Sequence, residues 1–235
     1  MDISANLNSV RQRVAAACAR AGRDAGEVTL VSVSKGQPAE VVCAAAQLGL
    51  TVFGESRVQE AKGKIGLCPA CLHWHLIGHL QSNKCRDAVH LFAMIQSVDS
   101  LSLAREINKW ADKSAKTMPV LIEVNVAGES SKFGYAPEQV LAELQQLNAL
   151  PRIEVHGLMT VAPFTQDAEK VRPVFRRLRE LKGQCEELLG AALAHLSMGM
   201  SDDFEVAVEE GATMIRLGSA VLGPRAAVKG AADGP

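Results

Sequence analysis

Short apolar or β-branched runs alternate along this chain with longer stretches in which apolar residues recur every three or four positions. The first kind reads as strand and the second as amphipathic helix. A leading stretch over residues 4–21 carries Leu7, Val10, Val14 and Cys18 at spacings of three and four, and predicts a helix. Eight strand candidates follow, at 28–34, 51–56, 73–79, 91–98, 119–126, 153–161, 195–200 and 214–223. The first, fourth and fifth are nearly continuous apolar runs, as expected of parallel strands covered on both faces. Helical periodicity returns between strands at 39–49, 101–115, 136–150 and 168–190. Pro38 and Pro137 fall where helices would start, and Gly49 and Gly190 where they would end.

Eight alternations of strand and helix behind one extra helix predict an α/β fold, a single TIM-type (β/α)8 barrel with an extra N-terminal helix. The barrel is expected over residues 1–225, with 226–235 a flexible tail. An open doubly wound sheet is the alternative, but no Gly-x-Gly-x-x-Gly follows an early strand. The formal net charge of −1 leaves no large basic footprint for nucleic acid, so none is expected as a partner. The arginine-containing runs 11–13 and 176–179 read as solvated helix faces. The N-terminus lacks a secretory pattern, and no apolar run approaches the roughly 18 residues of a membrane span. Six cysteines at irregular spacings, beside a full-sized core, read as reduced thiols. A cytoplasmic protein with no membrane partner is the expectation.

Barrels carry function at the C-terminal ends of their strands. The first strand candidate ends in Val33–Ser34–Lys35–Gly36. A partly desolvated amine there has a lowered pKa and is a better nucleophile toward an aldehyde, the requirement for a Schiff base. The bland alternative is a lysine whose stem snorkels to water. The seventh candidate runs through Ser197–Met198–Gly199–Met200–Ser201 into Asp202, Asp203 and a short helix, with Ser201 expected as its N-cap. The eighth supplies Gly218–Ser219, a second glycine–hydroxyl pair. These two loops are the usual phosphate site of such barrels, where glycine admits close approach and helix N-termini attract anions. Arg216 lies within the last strand and needs a partner. That partner is either a pyridine nitrogen above it or a buried carboxylate, for instance Glu123.

Other features have ordinary explanations. Cys68 and Cys71 with His73 and His75 invite a metal or redox site, but four ligands within eight residues are cramped, and incidental thiols are expected. Asp202 and Asp203 are expected to serve a helix N-terminus. His156 and His195 read as core or rim residues, Trp74 and Trp110 as packing residues, and Met198, Met200 and Met214 as barrel filling.

Several segments together carry a resemblance. They are VSVSK ending at Lys35, FGESRVQEAKGK at 53–64, WHLIGHLQSNK at 74–84, EVNVAGESSKFG at 123–134, HGLMTVAP at 156–163, and SMGMSDDFEVAVEEGATMIRLGSAVLG at 197–223. In this order, spread over nearly the whole chain, they resemble the pyridoxal 5′-phosphate (PLP) homeostasis family of the alanine-racemase-like barrel class. The resemblance implies PLP held as a Schiff base on Lys35. It implies phosphate anchoring by Ser197, Gly199, Ser201, Gly218 and Ser219, and Arg216 facing the pyridine nitrogen. The second-strand motif departs from the family's Gly-Glu-Asn: it reads Gly54–Glu55–Ser56, so Ser56 brings a shorter contact with one polar group.

A racemase of this class adds a second domain that supplies a tyrosine opposite the lysine. Here the chain ends after the eighth strand candidate, and Tyr135 is expected in a polar loop. Two-base proton transfer needs a group on each face of the substrate. The expected function is therefore intracellular vitamin B6 homeostasis, as a carrier or regulator without turnover, in a monomer whose partners are PLP and PLP-dependent apoenzymes. The alternatives are a small PLP-dependent amino-acid racemase using Lys35, and a barrel that binds another phosphorylated metabolite without a covalent link.

Overall fold

A computed structural model describes residues 2–224; the expected tail at 226–235 lies outside them. Helix α1 (Ile3–Arg20) starts where the Asp2 carboxylate accepts the Ala5 N–H at 3.0 Å. It buries Leu7, Val10, Val14 and Cys18 on one face.

Eight strands follow: β1 (Thr29–Val33), β2 (Val52–Glu55), β3 (His73–Leu76), β4 (Met94–Val98), β5 (Met118–Glu123), β6 (Ile153–Met159), β7 (His195–Ser197) and β8 (Met214–Leu217). All neighbours are parallel, in sequence order, and β8 closes on β1. The connecting helices are α2 (Ala39–Gln47), α3 (Val58–Lys64), α4 (Cys85–Leu91), α5 (Leu101–Lys113), α6 (Pro137–Asn148), α7 (Arg172–Leu189) and α8 (Phe204–Glu209), with a short α9 (Ser219–Leu222) after β8. This is the closed (β/α)8 barrel with a leading helix.

The corrections lie at element ends. Seven strands stop earlier than their apolar runs, with Ser219–Leu222 helix rather than strand, whereas β4 ends at Val98 as expected but begins only at Met94, because Leu91 closes α4. Pro137 opens α6, whereas Pro38 is the N-cap residue of α2 rather than its first helical residue. Gly190 ends α7 in the left-handed conformation (φ 64°); Gly49 sits two residues past the end of α2, just after its C-cap Leu48, at φ 87°. The arginine runs are not simply solvated. Arg13 pairs with Glu205 at 2.9 Å, and Arg176 and Arg179 pair with Glu210 at 3.0 and 3.1 Å, tying α1 and α7 to the α8 segment.

Two apolar cores result. The larger lies between barrel and helices and contains Phe53, Trp74, Phe175, Phe204 and Met198. The smaller fills the barrel itself: Val31, Met94, Leu121, Met159 and Met214. Alternation along a strand then decides what stands above this plug. Arg216 is two residues beyond Met214, Glu123 two beyond Leu121, and Lys35 continues the register of Val31 and Val33. Of the three methionines expected to fill the barrel only Met214 does: Met198 packs in the outer core, and Met200 is exposed on the loop after β7.

Candidate functional site

At the β1–β2 side of the mouth, Lys35 follows the end of β1 and is half-buried. The residues flanking it are held by carboxylates. The Ser34 hydroxyl donates to Glu55 Oε1 at 2.7 Å, and the Gly36 N–H donates to Glu60 Oε1 at 2.6 Å. Lys64, at the end of α3, completes the group. Its ammonium donates to Glu55 Oε1 (2.6 Å), Glu60 Oε1 (2.9 Å) and the Ser34 carbonyl (2.7 Å). Glu55 is fully buried and its Oε2 has no hydrogen-bond partner. Burial raises its pKa, outweighing the lowering by Lys64 and Ser34. Burial also pushes on Glu60, but there Lys64 and the Gly36 amide win and hold the carboxyl below its usual range.

The β7–β8 side is built on a different principle. Arg216 is buried, and its guanidinium donates to the Ser197 hydroxyl and the Thr160 carbonyl, both at 2.7 Å. Ser197 in turn donates to Gln96 Oε1 at 2.6 Å, and Gln96 Nε2 meets His75 Nδ1 at 2.9 Å. The amide nitrogen can only donate, so His75 accepts on Nδ1. Burial pushes the His75 pKa down to about 4, with His195 and His73 adding to the shift. The chain His75–Gln96–Ser197–Arg216 thus holds a cation on neutral groups. Burial lowers the Arg216 pKa to about 10, against the opposing pull of Glu123 and Asp203. No carboxylate among the described residues forms an ion pair with Arg216, so the alternative of a contact pair with Glu123 is not what the fold builds. Glu123 acts at longer range. Its Oε2 is buried without a partner, and burial, aided by Asp99, raises its pKa to about 7.

Above Arg216 lie the two glycine–hydroxyl loops. Gly199 has φ 93°, and a Cβ there would stand 2.6 Å from Ala207 Cβ and 3.0 Å from Phe204 Cα, so only glycine fits. Its carbonyl accepts the Arg216 N–H at 3.0 Å, which ties this turn to β8. Ser201 is not the cap of α8; Asp203 occupies that position, and its carboxylate accepts the Met200 N–H at 2.6 Å. The Val221 and Leu222 amides close on the Gly218 carbonyl at 3.0 and 2.8 Å. Ser219 and Ala220 therefore precede the first turn bond of α9, where helix-start N–H groups are left over. Ser56 is half-buried on the rim of a cavity of about 410 Å³ that also includes Gly78, His79 and Lys84.

The remaining candidates separate from the mouth. Tyr135 lies in the loop between β5 and α6, as expected, but is buried, and its hydroxyl donates to Glu143 on α6 at 3.0 Å. Cys68 interacts with the Cys43 thiol, Cys71 and His73 are exposed, and His75 is committed to Gln96. Trp74 packs on Phe53 with ring centroids 5.5 Å apart, while Trp110 is half-buried under Lys113. His156 and His195 sit 6.1 Å apart, paired with Glu154 and Thr213.

Glu55, Lys64, Gln96 and Thr160 were not foreseen as site residues. A lone polar residue inside the apolar run 91–98 was a signal for Gln96, and the i, i+4 spacing of Glu60 and Lys64 was a signal for that pair. Thr160 serves through its carbonyl, which no side-chain pattern reveals.

Residues 5–226 match the family described as alanine racemase, N-terminal domain. Pyridoxal phosphate homeostasis proteins are similar over almost the full length. That of Aquifex aeolicus is 44% identical over 226 residues, covering 96% of this chain and 99% of the relative. The human protein is 39% identical over 242 residues, covering 96% and 87%. The chain belongs to the pyridoxal phosphate homeostasis protein family. Among solved structures, PipY of Synechococcus elongatus determined with PLP bound has a TM-score of 0.82 at 35% identity, covering 94% of this chain and all of PipY. Its PLP-free form reaches 0.86 at 36% identity, with the same coverage. An alanine racemase of Clostridium difficile shares the fold alone, at 16% identity and TM-score 0.71; the match spans 56% of that enzyme.

Proposed function

We propose that this chain binds PLP as a Schiff base on Lys35 and serves vitamin B6 homeostasis in the cytoplasm, holding or delivering the cofactor without turnover. The observation that carries the reading is the unpaired charge of Arg216. A buried guanidinium hydrogen-bonded only to neutral oxygens, with its carboxylates at a distance, is costly unless a ligand completes the site. Two of its five N–H donors are used on Ser197 and Thr160. The remainder suit an aromatic nitrogen acceptor, and arginine's reluctance to release a proton keeps that nitrogen neutral.

The residues present fit the cofactor. Lys35 supplies the amine at one side of the mouth. The Gly199–Ser201 and Gly218–Ser219 turns supply a phosphate cradle on the neighbouring β7–β8 segment, with Ser56 on the rim. Ser197 has a different part from the one expected: its hydroxyl is engaged with both Gln96 and Arg216, so it orients the guanidinium rather than the phosphate. When bound, PLP would contribute an electrophilic aldehyde and a ring whose capacity to accept electrons is weakened by an arginine partner.

The absence of turnover rests on acid–base geometry. Racemisation needs a second proton carrier, and Tyr135, hydrogen-bonded to Glu143 with burial raising its pKa, is unsuited to that part. Delivery to PLP-dependent apoenzymes by a monomer is the partner relationship this reading implies.

The test is an absorbance spectrum with added PLP, then borohydride reduction and intact mass, for native protein and Lys35→Ala. A reducible adduct of PLP size, present only in the native chain, is expected. An adduct that survives Lys35→Ala would overturn the assignment. Sustained racemisation of alanine or serine at about 1 s⁻¹ or faster would overturn the carrier role.

A further inference from the structure

The group formed by Glu55, Glu60 and Lys64 touches the backbone on both sides of Lys35. Glu60 holds the Gly36 N–H, Glu55 holds the Ser34 hydroxyl, and Lys64 holds the Ser34 carbonyl and both carboxylates. All three of the ammonium's donors are used, so Lys64 has no capacity left for a ligand. Its side chain is 7% exposed, deeper than a lysine lies without purpose. Neighbouring Lys62 is turned to Asp87 at 3.1 Å.

We propose that Lys64 is the positioning residue of the Lys35 amine: it fixes the backbone that carries Lys35, and its charge offsets the two carboxylates that would otherwise hold that amine as an ammonium. The inference rests on Lys35 being the PLP-bearing lysine. Only a neutral amine attacks an aldehyde, so the local charge balance decides the pH at which the adduct forms. Two carboxylates alone would move that pH upward; one buried ammonium between them moves it back. Around this end of the barrel the charged or titratable groups are Glu55 on β2, Arg57 before α3, Glu60 and Lys64 on α3, and the Cys43 and Cys68 thiols behind it. Arg216 on β8, the strand next to β1, is the other cation at the mouth; Glu123 on β5, with Asp99 acting on it, His75 on β3 and Asp203 beyond β7 are the remaining titratable groups there. Of these, Glu55, Glu60 and Lys64 are the ones bonded to residues adjoining Lys35.

The experiment follows PLP adduct formation at several values from about pH 6 to pH 10, trapped by borohydride and counted by intact mass. It compares native protein, Lys64→Gln, Lys64→Arg and Glu60→Gln, with Lys35→Ala as the control. Lys64→Gln is expected to move the midpoint of adduct formation up by about one pH unit, and Glu60→Gln to move it down by a similar amount. Lys64→Arg restores the native midpoint. A role in folding alone would lower melting temperature and adduct yield without moving either midpoint. Unmoved midpoints, or movement in the same direction in both variants, would overturn the proposal. Should Lys64→Gln not fold, Glu60→Gln carries the test, because the Glu60 side chain is 31% exposed. If the native chain forms no adduct, or Lys35→Ala still forms one, the assignment of Lys35 itself fails, which is a separate outcome.

Discussion

Two buried cations stand at one barrel mouth, on neighbouring segments of its wall, and they are kept there in opposite ways. Lys64 is enclosed by two carboxylates and a carbonyl, with every donor engaged. Arg216 rests on a hydroxyl and a carbonyl, and its nearest acidic influences, Glu123 and Asp203, act only at a distance. The charge of Lys64 is consumed within the protein, whereas that of Arg216 is left available. A cation with its counter-charges in place is scaffold; under the proposed function, a cation without them awaits the acceptor of a ligand.

Removing the enclosed cation is the most damaging way to test this contrast. Lys64→Met strands Glu55 and Glu60 and leaves the Ser34 carbonyl without its donor. Breaking such a buried pair should cost about 3–5 kcal/mol in urea unfolding. A loss below about 1 kcal/mol would mean the enclosure is not energetically real.

Glu123 is the distant counter-charge of Arg216, and its effect should depend on pH. Its folded pKa, about 7, lies above the ordinary 4.5. A carboxyl raised in this way adds stability below about pH 4.5 that is lost as pH rises through about 7. Glu123→Gln should therefore be more stable than native by about 2 kcal/mol at pH 8, with the gap closing toward pH 5, in paired thermal melts. A constant gap across that range would assign the effect to packing instead.

Arg216→Met tests the other half of the contrast. Replacing an uncompensated buried charge by an apolar chain of similar length should leave the PLP-free protein within about 1 kcal/mol of native. The same variant should lose at least about tenfold in PLP affinity, read by spectral titration. A large loss of stability with unchanged affinity would show that Arg216, too, is scaffold.

The surface supplies the baseline. Arg13 and Glu205 pair at 2.9 Å with side chains 43% and 36% exposed. Arg13→Ala should change stability by less than about 0.5 kcal/mol, and a larger change would mean that ionic contacts here are not graded by burial.

Much of this molecule was legible beforehand. The alternation of apolar runs with helical periodicity gave the strand count, because strands covered on both faces of a closed barrel are short and mainly apolar while their connecting helices bury one face only. Lys35, Gly199, Gly218 and Arg216 stood out because strand ends are where such a barrel does chemistry. The partners of these residues did not stand out. Ser201 resembled a helix cap, but the chain turns two residues later and Asp203 takes the position. Ser197 resembled a phosphate ligand, but its inward register aims its hydroxyl at Gln96 and Arg216.

The sequence by itself thus determined the architecture, the order of the elements and the strand ends near which Lys35 and Arg216 sit, since these follow from local periodicity and from which residues tolerate burial. The tertiary structure alone decided which charges are neutralised. Glu55 and Lys64 are nine residues apart and meet across a strand and a helix; Gln96 and Ser197 are 101 residues apart and share a hydrogen bond. Charge compensation depends on distance and dielectric within a few ångströms, and only closure of the barrel sets those.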